Sequence, residues 1–388
     1  WRAVFLEHLH RELLDVAPQT LELIVVAPRV HAADPEHETR LGIRVERFDY
    51  GARGERLKES RPSFWRLLRF YLAARRRLAE VMKEFRPDGI LAHWVVPSGA
   101  IAAPVARRAG LPLVLWAHGS DLTRFGRRPI VGLLARAALR RARLVLAVSR
   151  ELRRIAIEEL GADPDKVTVL PMGVARTFHP QNSTRSELPS RGDRRDDTFA
   201  LELLYVGDLT REKGVEDLLL ALDRAWARGC RARLRTIGSG PMARDGSSLR
   251  SAPPEAVVHL GPRRPEEIAA LLREVDLLVH ASWREGAPLA VMEALACGTP
   301  VVATAVGGIP ELVTEDVSGW LVPARDTEAL ASVLCSLAER PERIAEARAR
   351  LASSPADHSM RSRVEILWPL LAEALGGGER SVLSSRAI

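Results

Sequence analysis

Short apolar runs alternate with helical patterns along this chain, and they do so in two separate series. In the first, the runs fall at 21–27, 90–96, 113–117, 144–149 and 167–170, and helical spacing of apolar residues appears at 4–14, 64–85, 99–109, 129–141 and 151–160. The second has runs at 201–206, 233–237, 257–260 and 277–281, with helical patterns at 214–227 and 265–274. A strand buried on both faces reads as a continuous apolar run, so alternation with helices predicts a parallel sheet covered on both sides. Two such series predict an α/β chain of two doubly wound, Rossmann-like domains facing each other across a cleft, with ligands at the carboxyl ends of strands. Between them, 180–198 is polar, charged and broken by Pro and Gly, as a linker would be. The expected division is 1–176, completed by a returning helix at 358–376, then 177–357, with 377–388 as a disordered tail. Residues 326–350 also carry a helical pattern.

A length of 388 residues fits two cores rather than one. Cys230, Cys297 and Cys335 lie far apart with no C-x-x-C pair, which is unlike a disulfide framework or a zinc site and fits a reducing compartment. The expected location is cytoplasmic. The chain starts at Trp1 without the charged and apolar signature of a signal segment. The uncharged run 89–106 has the length of a membrane span, but Pro97, Pro104, Gly99 and His93 divide it into strand, turn and helix. Residues 1–174 carry 30 Lys and Arg against 20 Asp and Glu, while the remainder carries 27 against 30. A basic first half suits an anionic partner such as a membrane surface, a phosphorylated acceptor or nucleic acid.

Chemistry concentrates in 282–302, S-W-R-E-G-A-P-L-A-V-M-E-A-L-A-C-G-T-P-V-V. Pro288 suits a first helical position, Leu289, Met292, Leu295 and Ala296 follow at helical spacing, and Gly298 suits the left-handed residue past the helix end. Glu285 then falls in the loop before the helix and Glu293 lies inside it about two turns further on, while Gly286, Ala287 and Leu289 offer backbone amides to an anion. Such a place can hold a phosphate between hydroxyl-rich groups, because carboxylates accept well from hydroxyls. The bland alternative is two solvated glutamates at a chance spacing. In 205–222, Arg211 and Lys213 follow a strand that ends at Gly207; they can neutralise a diphosphate, or form an ordinary solvated pair. Gly238 and Gly240 in I-G-S-G-P-M allow close backbone approach, which a plain turn also needs. His118 in A-H-G-S-D-L follows another strand. Asp163-Pro164-Asp165 matches a D-x-D metal motif but sits where Asp and Pro are common turn residues, so no metal is expected there.

The E-x7-E spacing, the E-G-x-P-L start and the A-x-G-x-P-V-V-A-T-x-x-G-G-I-P-E-L-V that follows resemble family 4 glycosyltransferases, which have the GT-B fold, and the resemblance extends in order over nearly the whole chain. It implies a metal-independent, retaining transferase that moves a sugar from a nucleotide-diphosphate sugar to a hydroxyl of a sugar or lipid-linked acceptor. It further implies Glu293 on the ribose, Glu285 and His118 on the transferred sugar, and the backbone from Gly286 through Ala287 and Pro288 to Leu289 near sugar and phosphate. Arg211 and Lys213 would bind the diphosphate, Gly207, Gly238 and Gly240 would lie near the nucleotide, and the loop carrying Arg263 would accommodate the base. No cofactor beyond the donor and no nucleic acid is expected. Met172 and Ala175 depart from the family's usual P-N-G-V-D, and Ala287 stands where a bulky aromatic is usual. The family's first strand and glycine-rich loop have no counterpart before Trp1. An epimerase of the same fold, or a non-catalytic nucleotide-sugar-binding subunit, are the alternatives. A lipid-linked acceptor together with the aromatics and arginines of 64–85, and Arg140, Arg141 and Arg143, points to peripheral binding on the inner face of the plasma membrane.

Overall fold

The computed structural model describes residues 4–17, 21–31, 33–52, 64–180, 199–243, 249–353, 357–376 and 386–387. It divides into two compact units, Trp1–Pro171 with Met360–Ile388, and Met172–Ser359. Residues 181–198 of the expected linker lie outside the described residues.

The first unit runs α1 (Val4–Val16), β1 (Glu22–Pro28), β2 (His37–Arg40), β3 (Ile43–Phe48) and α2 (Phe64–Phe85). β1 is parallel to β3, and β3 is antiparallel to β2. This hairpin was not among the expected elements. Its turn puts Leu41 at φ 51 and Gly42 at φ 80, as the tight two-residue turn requires, but Leu is not a residue that signals such a turn. The chain continues through β4 (Ile90–His93), α3 (Ala100–Ala109), β5 (Leu113–Ala117), α4 (Pro129–Arg141), β6 (Leu144–Ala147), α5 (Arg150–Arg154) and β7 (Val167–Val169). β4 to β7 form a second, parallel sheet in that order, and every residue of β5 is buried, as an unbroken apolar strand demands. The uncharged run 89–106 folds as β4, a turn and α3. No helix among the described residues is long and apolar enough to cross a membrane.

In the second unit the elements are β8 (Leu201–Val206), α6 (Val215–Ala227), β9 (Ala232–Ile237), β10 (Val257–Gly261), α7 (Pro265–Glu274), β11 (Leu277–His280), α8 (Leu289–Ala296), β12 (Val301–Thr304), α9 (Ile309–Leu312), β13 (Gly319–Val322), α10 (Thr327–Glu339) and α11 (Pro341–Ser353). The six strands pair in parallel in the order β10-β9-β8-β11-β12-β13. Strand order therefore reverses between β8 and β11, and in open parallel sheets ligands bind where that happens. Leu203, Tyr205, Leu218, Leu222, Leu277, Val279 and Trp320 fill the core. The pattern 326–350 splits at Pro341, because proline lacks the N–H that would continue α10 and is suited to start α11.

The chain then returns to the first unit as α12 (Met360–Ala374), which packs on α1, and β14 (Arg386–Ala387). Of the expected tail, 377–385 and 388 lie outside the described residues. Arg386–Ala387 depart from that expectation by running parallel to β1, whose edge offers unpaired backbone groups.

Candidate active site

In the second unit, candidate residues gather where β8 and β11 end. Arg211–Lys213 form one tight turn closed by Gly214 at φ 68. A Cβ on Gly214 would lie 1.8 Å from the Ala281 carbonyl oxygen, so only glycine lets this turn sit against the end of β11. That contact puts Lys213 Nζ 2.6 Å from Glu285 Oε1. His280, the last residue of β11, has Nε2 at 2.9 Å from the same oxygen, and Ser282 Oγ lies 3.1 Å from Nε2. Behind the loop, Gly307 at φ 57 packs on the Glu285 backbone, where a Cβ would come within 1.9 Å of its carbonyl oxygen, and the Gly308 N–H donates to Gly286 O at 2.8 Å. Glu285 is thus clamped, with its side chain 9% exposed. Burial alone would raise its pKa, but the Lys213 charge and the hydrogen bonds from His280 and Lys213 hold the carboxyl well below the usual range.

α8 begins at Leu289. Pro288 caps it from outside with an extended ψ of 123°, so the expectation of Pro288 as the first helical residue is corrected by one position. The N–H groups of Gly286, Ala287 and Leu289 donate to no group among the described residues. On α8, no hydrogen bond or ion pair from the described residues reaches the Glu293 carboxylate, and burial pushes it up to about 7. The two glutamates of the E-x7-E spacing therefore flank one helix start with their carboxyl pKa values displaced in opposite directions.

Arg211 is not held beside Lys213. Its side chain is 70% exposed and lies 2.9 Å from Glu216, with the guanidinium 5.8 Å from the Trp283 ring, on which Arg325 also stacks at 4.0 Å. The expected cationic pair is divided, one member on each carboxylate. The loop ends of β8, β9 and β10 are stitched together, Gly207 N–H to Ile237 O at 3.0 Å and Gly238 N–H to Gly261 O at 3.2 Å. A Cβ on Gly238 would meet Gly207 O at 1.9 Å, which explains the glycines without reference to a ligand. Gly240 approaches the Leu209 backbone in the same way. Arg263 turns to its own neighbourhood, bonding Pro262 O at 3.1 Å.

His118 belongs to the first unit, at the end of β5. Its Nε2 lies 3.0 Å from His93 Nδ1. The ring stacks on His93 and Trp116, with centroids 5.2 and 5.8 Å away. Burial pushes His118 down to about 3 and His10, whose ring meets His93 edge-on, down to about 4. Asp121 of the same motif is structural, since its buried carboxylate accepts from the backbone N–H groups of Val95, Gly119 and His118 at 2.9, 2.8 and 3.2 Å. Asp163 likewise caps its own turn, accepting from the Asp165 N–H at 3.2 Å.

His280, Ser282, Trp283 and Arg325 were not anticipated. His280 closes an apolar run that reads as nothing but strand, and its partner Glu285 lies in the loop that follows, so the missed signal was a polar residue at a buried strand end.

A parallel six-stranded sheet with paired carboxylates and cations at its switch point, preceded by a second α/β unit, defines a sugar-transferring enzyme of the GT-B type once comparison with known proteins is added. Residues 3–178 match the family model described as Glycosyltransferase Family 4, and residues 200–340 the one described as Glycosyl transferases group 1. TuaC of Bacillus subtilis, named as a teichuronic acid biosynthesis glycosyltransferase, is 32% identical over 77% of this chain and 72% of its own length. Among solved structures, sucrose-phosphate synthase from Thermosynechococcus elongatus aligns with a TM-score of 0.76 at 20% identity over 97% of this chain and 94% of its own. HepE from Anabaena, solved with UDP, aligns at 0.67 and 19% over 91% and 100%. The chain belongs to the family 4 glycosyltransferases and has the GT-B fold.

Proposed function

We propose that this glycosyltransferase moves a sugar from a nucleotide-diphosphate sugar to a hydroxyl of a sugar or lipid-linked sugar in surface polysaccharide synthesis, keeping the anomeric configuration. The observation that carries the reading is the helix start whose amides, and whose half-buried Glu293 carboxylate, find no partner among the described residues, flanked by the clamped Glu285. Glu293 accepts from the ribose hydroxyls and Glu285 from the sugar, while the amides at Gly286 to Leu289 face the phosphates. Lys213 and Arg211 turn from their carboxylates to the diphosphate, whose negative charge grows as the bond to the sugar breaks. The acceptor hydroxyl enters on the face the diphosphate leaves, and the departing phosphate oxygen takes its proton. His118 of the first unit contributes a sugar contact. TuaC's name and the UDP in HepE support the polysaccharide and the donor class respectively.

No divalent ion is needed in this scheme, because the cations and helix start oppose the phosphate charge. Activity should therefore persist in chelator, and restoration by manganese or magnesium after its loss would sink that part. The main test is a thermal-shift panel of nucleotides and nucleotide sugars, in which a donor at about 100 times its Kd adds roughly 2.7 kcal/mol of apparent stability. The anomeric proton coupling of the product made from the best donor then reads the stereochemistry, and inverted product overturns the retaining assignment.

The enzyme is also proposed to work in the cytoplasm at the inner face of the plasma membrane. Phe64 and Trp65 of α2 are 71% and 70% exposed, Ile130 and Leu133 of α4 are exposed as well, and Leu133 lies beside Arg127, Arg128 and Arg136, a mixture that suits anionic lipid.

A further inference from the structure

His280 has no part in the scheme above, yet it is 3% exposed and lies parallel to the Tyr205 ring, with centroids 6.3 Å apart and an interplanar angle of 11°. Its Nε2 faces Glu285 Oε1 at 2.9 Å and Ser282 Oγ at 3.1 Å. An ionised carboxylate can only accept, so the hydrogen sits on Nε2 and His280 donates. This is not a nucleophile relay. A relay needs serine and carboxylate on opposite ring nitrogens, whereas here they share one, and the buried Nδ1 has no partner among the described residues.

Two donors, Lys213 Nζ and His280 Nε2–H, converge on Oε1, and Glu285 Oε2 receives no hydrogen bond from the described residues. The two donors differ in kind. Lys213 carries its charge on a flexible stem, so it can follow the carboxylate through several rotations or leave it for another anion. The imidazole is fixed by its strand and by Tyr205, so its N–H points one way.

We infer that His280 is a positioning residue for Glu285: its Nε2–H holds Oε1 to the protein and so presents Oε2 to a hydroxyl of the transferred sugar. The inference rests on the reading of Glu285 as a sugar contact. It also answers a difficulty in that reading, since Lys213 cannot stay on Glu285 while turning to a departing diphosphate. His280 keeps Oε1 occupied during that turn, and the carboxylate keeps its direction.

The test compares three substitutions in the full chain. Phe at 280 keeps the ring against Tyr205 and removes the donor. Gln carries an amide N–H as many bonds from the backbone as Nε2, and Asn carries one that falls short. His280→Phe should bind UDP as the parent does and lose roughly 10- to 100-fold in turnover of the best donor from the panel, the worth of a charge-assisted hydrogen bond. His280→Gln should recover most of that loss and His280→Asn little of it. Combined with Glu285→Ala, His280→Phe should add nothing further. Full turnover in His280→Phe overturns the inference, as does a Gln variant no better than Phe, which would reduce His280 to a space-filling ring. Weaker UDP binding in His280→Phe, or a lowered Tm matching the activity loss, also overturns it. If Glu285→Ala itself keeps full turnover, the sugar-contact reading fails first, and the positioning role with it.

Discussion

Glu285 and Glu293 are one residue type placed on either side of one helix start, and their surroundings drive them apart. Glu285 has a cation and a ring N–H on one oxygen, whereas nothing offsets the desolvation of Glu293. The folded pKa of Glu293, about 7, lies above its ordinary 4.5. Its protonated form therefore contributes stability that is fully present below about 4.5 and is lost as pH rises through 7. Glu293→Gln should raise Tm at pH 8, by at most about 3 kcal/mol of stability, and the gain should vanish near pH 4.5. An equal gain at both pH values would show that charge is not the cause. On the proposed function, stability and function oppose each other at this position, because the ionised form that destabilises the unit is the better acceptor for a ribose hydroxyl. Glu293→Ala should accordingly weaken UDP and donor alike, by about 10 to 150 times, measured by titration. Glu285→Ala should spare UDP and impair turnover.

The strand-to-helix loops carry the site, and glycine decides how closely they approach. Gly307→Ala adds a Cβ that cannot coexist with the Glu285 carbonyl and strains a residue at φ 57. Lower Tm by more than about 1 kcal/mol together with lower turnover is the expected result, and a stable variant with full activity would mean that the loop behind Glu285 is not a clamp. Legibility of the sequence follows the same division. β8, β11 and α7 could be read because each is an unbroken apolar or amphipathic segment with a clear stop. β13 could not, since Gly319 to Val322 is short and opens on glycine, and the β2–β3 hairpin turns on Leu41. Both carboxylates, Lys213 and the helix start were legible as motifs on loops next to strands. The parting of Arg211 from Lys213, and the role of His280, depend on contacts between segments remote in sequence, which periodicity does not encode.

His10 and His118 of the first unit and Glu293 of the second respond to pH in opposite senses. In the first, His10 and His118 have folded pKa values of about 4 and about 3 against an ordinary 6.5, so they favour folding above 6.5, and that contribution is lost as pH falls toward 4. In the second, Glu293 destabilises as pH rises through 7. Calorimetry should resolve two transitions whose separation changes between pH 4.5 and 8, the first unit gaining on the second as pH rises; a constant separation would refute this. At the same scale, the full chain should sediment with vesicles of anionic lipid at low salt but not with neutral ones. Trp65→Ser with Ile130→Ser should weaken that binding, and an intact chain that stays in the supernatant removes the membrane from the proposal. One feature of the connectivity bears on biosynthesis. α12 packs on α1 although the whole of the second unit, Met172–Ser359, lies between these two segments of the first unit in the chain. The ribosome thus delivers the second unit in one uninterrupted piece, while the first must wait, with the α12-facing side of α1 uncovered, until Met360–Ala374 has been made. Domains usually mature from the N-terminus onward, but here the nascent chain completes its second unit before its first, and α1 is the segment for which a chaperone that shields apolar surface would be needed.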